Sequence, residues 1–221
     1  MKVNGMKKIL TSALLLLWTV LQVSAQTDAR AKAILAEVSR KYKAYDVIKT
    51  DFTFTIDNPQ AKIRESQAGT LYARSKTNQY KIVMKDQELI SDGKSQWTYL
   101  KSDKEVQVNE VNPSGDAFNP AKLFTIHEKG FKSLYNGEKK VNGRTYHSID
   151  LTPIDSKTSF FKVRLLIDKA TRAIHNAVLF DKGGNRYTYA IKGFTPNVKV
   201  PASTFTFDPK KHPGVEVVDL R

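Results

Sequence analysis

From Asp28 onward, Ala31, Ile34, Leu35, Val38, Tyr42 and Tyr45 recur three or four residues apart, with Arg30, Lys32, Glu37 and Lys41 on other faces. That spacing lays one apolar stripe along an α-helix, and Asp28 is suited to cap its first turn. After this helix the period falls to two. Phe52, Phe54 and Ile56 alternate with Asp51, Thr53 and Thr55, as in a strand with one buried face. Gly69-Thr-Leu-Tyr-Ala73 reads as a second strand, and Tyr80, Ile82 and Met84 share a face in a third. Ile90 leads into Ser91-Asp-Gly-Lys94, and Trp97 and Tyr99 follow on one face; Asp-Gly between two such runs signals a hairpin.

The middle of the chain breaks this rhythm. Between Asn112 and Gly137 lie Pro113, Gly115, Pro120, Gly130 and Gly137, around a short helix candidate over Ala121–Ile126. The segment reads as an excursion from the sheet, because strands resume beyond it. Asn142-Gly143 is a hairpin turn, and Tyr146–Leu151, Phe161–Ile167, Ile174–Phe180 and Tyr187–Ile191 are successive strands. Phe205-Thr-Phe207 and a tail from Val215 to Leu220 close the chain. Many strands with short turns imply one antiparallel sheet of at least eight strands, wide enough to curl. Two helical segments are too few to cover both faces, so a doubly wound α/β fold is excluded and the helices are expected on the concave side.

The N-terminus changes the picture of where the chain works. Lys2, Lys7 and Lys8 precede the apolar run Ile9–Leu21, and Val23-Ser24-Ala25 offers small residues for cleavage. The run is shorter than the roughly 18–20 residues that cross a bilayer. The expectation is a leader over residues 1–25 and a single domain over 26–221, soluble once exported. The chain has no cysteine, which excludes disulfides, thiolate nucleophiles and an acylated N-terminal cysteine. The formal charge is +14, and losing Lys2, Lys7 and Lys8 lowers it to +11. The cations are scattered through strand-like segments, with no basic helix or aromatic-interleaved stripe, so nucleic acid is not an expected partner.

Catalytic signatures are missing. His127, His147, His175 and His212 are far apart without metal-ligand spacing and read as surface or turn residues. No glycine-rich loop opens a helix after a strand, and there is no G-x-S-x-G elbow. No metal, cofactor or enzymatic activity is expected.

The ordered motifs resemble the periplasmic outer-membrane lipoprotein carrier family, LolA. They are Thr50-Asp-Phe-Thr-Phe54, Gly69-Thr-Leu-Tyr72, Tyr80-Lys-Ile-Val-Met84 and Leu89-Ile-Ser-Asp-Gly-Lys-Ser-Gln-Trp-Thr-Tyr99, then Leu151-Thr-Pro153, Phe161-Lys-Val-Arg-Leu-Leu-Ile-Asp168 and Asp181-Lys-Gly-Gly-Asn185. Phe205-Thr-Phe-Asp-Pro209 and Gly214-Val215 complete the set. The resemblance implies a mainly β fold, an unclosed antiparallel barrel with helices as a lid over a hydrophobic cavity. It implies a monomeric periplasmic carrier that shields lipoprotein acyl chains between the inner and outer membranes. Its partners would be acylated lipoproteins, an inner-membrane transporter that releases them, and an outer-membrane acceptor, either a receptor or the membrane itself.

On that view the cavity face carries Phe52, Phe54, Tyr80, Ile82, Met84, Trp97, Phe161, Val163 and Leu165, with Leu123 and Phe124 on the lid. Alternating hydrophobics also serve as ordinary core, and a register slip of one would exchange lining for exterior. The family's lid is held by an arginine before a proline after the second strand; Ala73-Arg-Ser-Lys-Thr77 has no proline, leaving Arg74 or Lys76 for that role. Related sensor proteins carry a further C-terminal domain, for which the strand pattern leaves no room, and a receptor would need the missing cysteine. A periplasmic binder of another lipid or apolar small ligand stays open.

Overall fold

The computed structural model describes residues 28–111 and 123–221; the expected leader, the first part of the helix candidate over 121–126 and the stretch before it lie outside the described residues. One α-helix, α1, covers residues 28–43. Twelve strands follow: β1 (Ile48–Asn58), β2 (Ile63–Arg74), β3 (Gln79–Met84), β4 (Gln87–Ser91), β5 (Ser95–Leu100), β6 (Glu105–Glu110), β7 (Phe131–Val141), β8 (Arg144–Pro153), β9 (Phe160–Asp168), β10 (Ile174–Asp181), β11 (Arg186–Pro196) and β12 (Glu216–Asp219). They form one sheet in the order β12-β6-β5-β4-β3-β2-β1-β11-β10-β9-β8-β7, with β12 and β7 as its unpaired edges. All neighbours are antiparallel except β12 and β6, which run parallel.

Four register breaks bend the sheet: at Asp51/Phe52 against β11, at Ile174/Asn176 and Phe180/Asp181 against β9, and at Tyr135/Glu138 against β8. An extra residue on one strand increases local twist and bends it, so a flat ribbon becomes a trough. The trough's inner face and α1 form one core. From the helix come Ala31, Ile34, Leu35, Val38 and Tyr42, all 5% exposed or less. Opposite lie Phe52, Leu71, Ile82, Ile149, Leu151, Val163, Leu165 and Ile167. Gly69 allows the trough floor to close. A Cβ there would stand 2.5 Å from Phe52 Cζ, so the ring of its cross-strand partner fills the space a side chain would need.

A second, smaller core lies on the other side of the sheet. Ile90, Val106 and Phe207 are buried there, with Trp97, Tyr99 and Val215 packed against them. The chain after β11 returns across β4–β6, where the His212 ring stacks on Phe207 at 4.6 Å and lies 4.8 Å from Tyr99.

Several elements depart from the sequence reading. Twelve strands meet the expected minimum of eight, but the last pairing is parallel. The expected second helix is not helical where described: 123–125 is a turn and Ile126–Glu128 a 3-10 turn, so α1 is the only α-helix among the described residues. Phe205 ends a 3-10 turn, Ala202–Phe205, to which the sequence pattern assigns no conformation. β7 runs through Gly137, which the sequence pattern places in the excursion; Gly137 (φ +83) sits in the β7 bulge, a backbone state glycine adopts without strain. His147 is not a surface residue. It is 3% exposed on β8, paired with Ile167 across the sheet.

Candidate functional site

Among the described residues the inner face is unevenly covered. α1 packs on the inner face and is pinned to the β9–β10 turn and the start of β10 by polar contacts. Arg172 Nε donates to Glu37 Oε2 at 2.6 Å, Lys41 Nζ donates to the Thr171 carbonyl at 2.7 Å, and the Ile174 amide donates to Tyr42 Oη at 3.1 Å. Near the start of α1 the Arg30 guanidinium lies 4.2 Å from the Tyr135 ring centroid and 3.5 Å from Glu138. Burial pushes the Tyr42 phenol up to about 12, so it stays protonated. Lys43 reaches Glu128 at 2.8 Å and Ser39 bonds the His127 ring at 2.7 Å, tying the helix to the 123–128 segment. Phe124 stacks on Tyr42 with centroids 4.3 Å apart.

Beneath these contacts His147 joins β8 to the β9–β10 turn. Arg172 Nη1 lies 3.3 Å from His147 Nε2, and a guanidinium only donates, so Nε2 accepts and the proton sits on Nδ1. Nδ1 faces Tyr135 Oη at 3.3 Å and Glu138 Oε1 at 4.0 Å. Burial, and then the Arg172 charge, hold the imidazole below its ordinary value, so it is neutral at neutral pH.

Toward the opposite rim the inner-face side chains among the described residues are only half-buried. There the turns after β1, β8 and β10 come together. Phe54, Met84, Leu89, Phe131, Tyr187 and Tyr189 are half-buried against the main core. Phe54 lies between Tyr189 at 4.8 Å and Tyr187 at 6.2 Å, and Tyr189 lies 6.1 Å from Phe52, giving a run of rings from buried floor to rim. Burial raises the Tyr189 phenol well above its usual range. The arrangement is an apolar trough, stoppered at one end and graded in exposure toward the other. It suits a flexible hydrocarbon better than a reacting substrate. Among the described residues no group of three or more His, Asp or Glu could hold a metal ion.

The structure brings most of the sequence-predicted residues together. Phe52, Phe54, Tyr80, Ile82, Met84, Val163 and Leu165 share the inner face, and Leu123 and Phe124 are buried against α1 in the same core. Two do not join them. Trp97 pairs with Ile90 and Val108 on the outer face of β5 and packs in the second core. The apolar side of the sheet switches between β3 and β5: Leu89 faces the trough while its neighbour Ile90 faces out. Phe161 is 49% exposed. The break opposite Phe180/Asp181 inserts a residue into β9, so Phe160 takes the inward position and Phe161 and Lys162 both point out.

Of the two latch candidates, among the described residues, Arg74 lies 3.5 Å from Asp46, donates to Gln79 at 3.0 Å and covers the Phe205 ring at 5.2 Å; Lys76 is exposed in the Ser75–Thr77 turn. On α1, Glu37 and Arg30 pair with Arg172 and Glu138. Tyr187, Tyr189 and Phe131 also line the trough without being singled out by sequence, although Tyr187, Tyr189 and Ile191 alternate on the strand beside β1.

A family model described as outer membrane lipoprotein carrier protein LolA matches residues 43–208. The chain belongs to the LolA family. The match begins where α1 ends and takes in β1 to β11, and so the whole trough floor. LolA-family proteins are carriers or binding proteins rather than enzymes. By structure, this LolA-family chain is similar to an uncharacterized conserved protein from Thermus thermophilus, with a TM-score of 0.57 at 14% identity over 86% of this chain and 99% of that one. It is also similar to a DUF1329 family protein from Desulfovibrio piger, with a TM-score of 0.52 at 12% identity over 81% of this chain and 97% of that one. Identities this low speak for the fold alone. No curated protein matches the sequence.

Proposed function

We propose that this chain is a periplasmic, non-enzymatic carrier that takes lipoprotein acyl chains onto its trough and moves them from the inner to the outer membrane. It is exported by a leader cleaved after Ala25. The observation that carries the reading is the graded inner face: an aromatic run from the half-buried Phe54, Tyr187 and Tyr189 to the buried Phe52, ending under a helix pinned by only a few polar contacts.

Magnitudes support a competition between helix and lipid. Each buried methylene is worth about 0.8 kcal/mol, so ten methylenes contribute ~8 kcal/mol. Ile34, Leu35, Val38 and Tyr42 bury side chains worth roughly 1.5–3 kcal/mol each, a similar sum. An acyl chain can therefore displace α1 and the 123–126 segment, and those side chains can expel it again, without a bound energy source. The implied partners are an inner-membrane transporter that loads the carrier and an outer-membrane acceptor that empties it.

The test is incubation of the mature protein with membranes holding a labelled triacylated lipoprotein, with loading machinery and energy supplied. A soluble one-to-one complex is expected. Absence of release, together with another apolar molecule recovered by extraction and mass spectrometry, would replace the lipoprotein carrier with a small-ligand binder.

A further inference from the structure

Two turns at the half-buried rim combine exposed apolar side chains with lysines. In the β8–β9 turn Ile154 is 64% exposed, and at the start of β9 the bulge turns Phe161 outward at 49%. Phe180 on β10 is half-buried, with its ring 6.2 Å from Phe161. Lys162 Nζ stands 4.4 Å from the Phe180 ring centroid, and Lys157 and Lys182 are exposed in the turns after β8 and β10. Lys182 donates to the Ser156 carbonyl at 2.7 Å, and its amide donates to the Ser159 carbonyl at 3.1 Å, so the two turns form one unit. The nearby acids point into their own turns: Asp155 accepts the Lys157 amide at 2.8 Å, and Asp181 accepts the Asn185 amide at 2.7 Å and the Tyr187 hydroxyl at 3.1 Å.

We infer that this rim docks the protein on an anionic bilayer surface, with Ile154 and Phe161 entering the interface and Lys157, Lys162 and Lys182 lying among the headgroups. Charge selects this occupant over a second copy of the chain. A symmetric contact would set these lysines against themselves in a protein whose formal charge stays at +11 without Lys2, Lys7 and Lys8. A bilayer offers the opposite charge and an apolar layer just below it, which suits side chains that end in ammonium groups around exposed Ile and Phe. The bulge links this surface to the trough. It sends Phe160 inward, where it stacks near Phe131 at 6.1 Å, and sends the next residue outward at the same rim. Docking therefore presents the half-buried end of the apolar face to the membrane.

The experiment is sedimentation of the unloaded mature protein with vesicles of phosphatidylcholine alone or with about one third phosphatidylglycerol, at low and high salt. No lipoprotein is present, so the outcome is independent of the carrier reading. Binding is expected only to the anionic vesicles at low salt. Each lysine near the surface is worth about a fivefold change in affinity, so Lys157→Glu with Lys182→Glu weakens binding at least about 25-fold. Phe161→Ser, which leaves the charges intact, weakens it about tenfold. The control is Lys139→Glu with Lys140→Glu, which changes net charge equally at the opposite rim, beside the Asn142-Gly143 turn, and leaves binding near the parent value. Equal loss from both charge pairs would mean diffuse attraction and overturn the docking rim. So would binding that ignores Phe161→Ser, or self-association of the protein through this patch without vesicles.

Discussion

The two faces of the sheet bury their apolar residues in different ways. On β4–β6 the outer core is capped by a segment continuous with the sheet itself, which ends as β12 hydrogen-bonded along β6. On the trough side the cap is α1, which no ladder bonds to the sheet; its polar pins are side-chain contacts, part-exposed at Glu37–Arg172 and Lys41 and buried at Tyr42. Both caps bury apolar surface, but one is sewn into the backbone hydrogen-bond network and the other rests on side chains. A cover that must come away is best made of side-chain contacts, because lipid can replace apolar contact but not a strand ladder. The outer core thus reads as structure and the trough as function.

The largest effect that would sharpen this contrast comes from the shared floor. Ile149→Ala, at a position 0% exposed beneath α1, is expected to cost about 3–4 kcal/mol in a urea titration, whereas Val106→Ala in the outer core costs about 2 kcal/mol or less. Next, Gly69→Ala drives a Cβ toward the Phe52 ring and is expected to cost about 1–3 kcal/mol. Combining it with Phe52→Leu should restore a substantial part of that loss, and simple additivity of the two costs would show that the ring does not need the gap.

A smaller effect tests the helix pins. Arg172→Ala removes the donor to Glu37 and the contact to His147; with side chains 30% and 43% exposed, the ion pair is worth at most about 1 kcal/mol. Stability should fall only slightly while uptake of an apolar dye rises several-fold. A stability loss without added uptake would mean that α1 is not the cover that moves.

The smallest effect is on pH. His127, His147 and His175 are all held below the ordinary 6.5, chiefly by burial. The unfolded chain therefore binds these protons first, and stability present at pH 7.5 is lost as the pH falls through about 6.5 toward the folded values. His147→Asn should flatten part of that slope between pH 7.5 and 5.5, and an unchanged slope would assign it to the other histidines.

Much of this architecture is legible in the sequence because strand alternation is a local property. α1, β1, β3 and the Asn142-Gly143 hairpin follow from periodicity and turn chemistry, and Asn142 and Gly143 both take the positive φ that such a turn requires. What is not legible depends on distant partners. Trp97 alternates correctly within β5, but nothing local says that the apolar side changes between β3 and β5, since the outer face is covered by residues more than a hundred positions later. Phe161 fits the pattern of β9 until a bulge, visible only against β10, moves the inward slot to Phe160. His147 is buried because Arg172 and Tyr135 satisfy it, a set of partners with no signature in spacing. The parallel pairing of β12 likewise depends on an edge that the rest of the sheet creates.

The central claim is that acyl chains occupy the trough and not the outer face. The most direct measurement places a photoreactive phenylalanine analogue singly at Phe54, at Tyr187 or at Trp97, loads the protein with a lipoprotein carrying labelled acyl chains, and irradiates. Cross-links from Phe54 and Tyr187 with none from Trp97 are the expected result. Cross-links from Trp97 alone, or equal labelling at all three, would contradict the account.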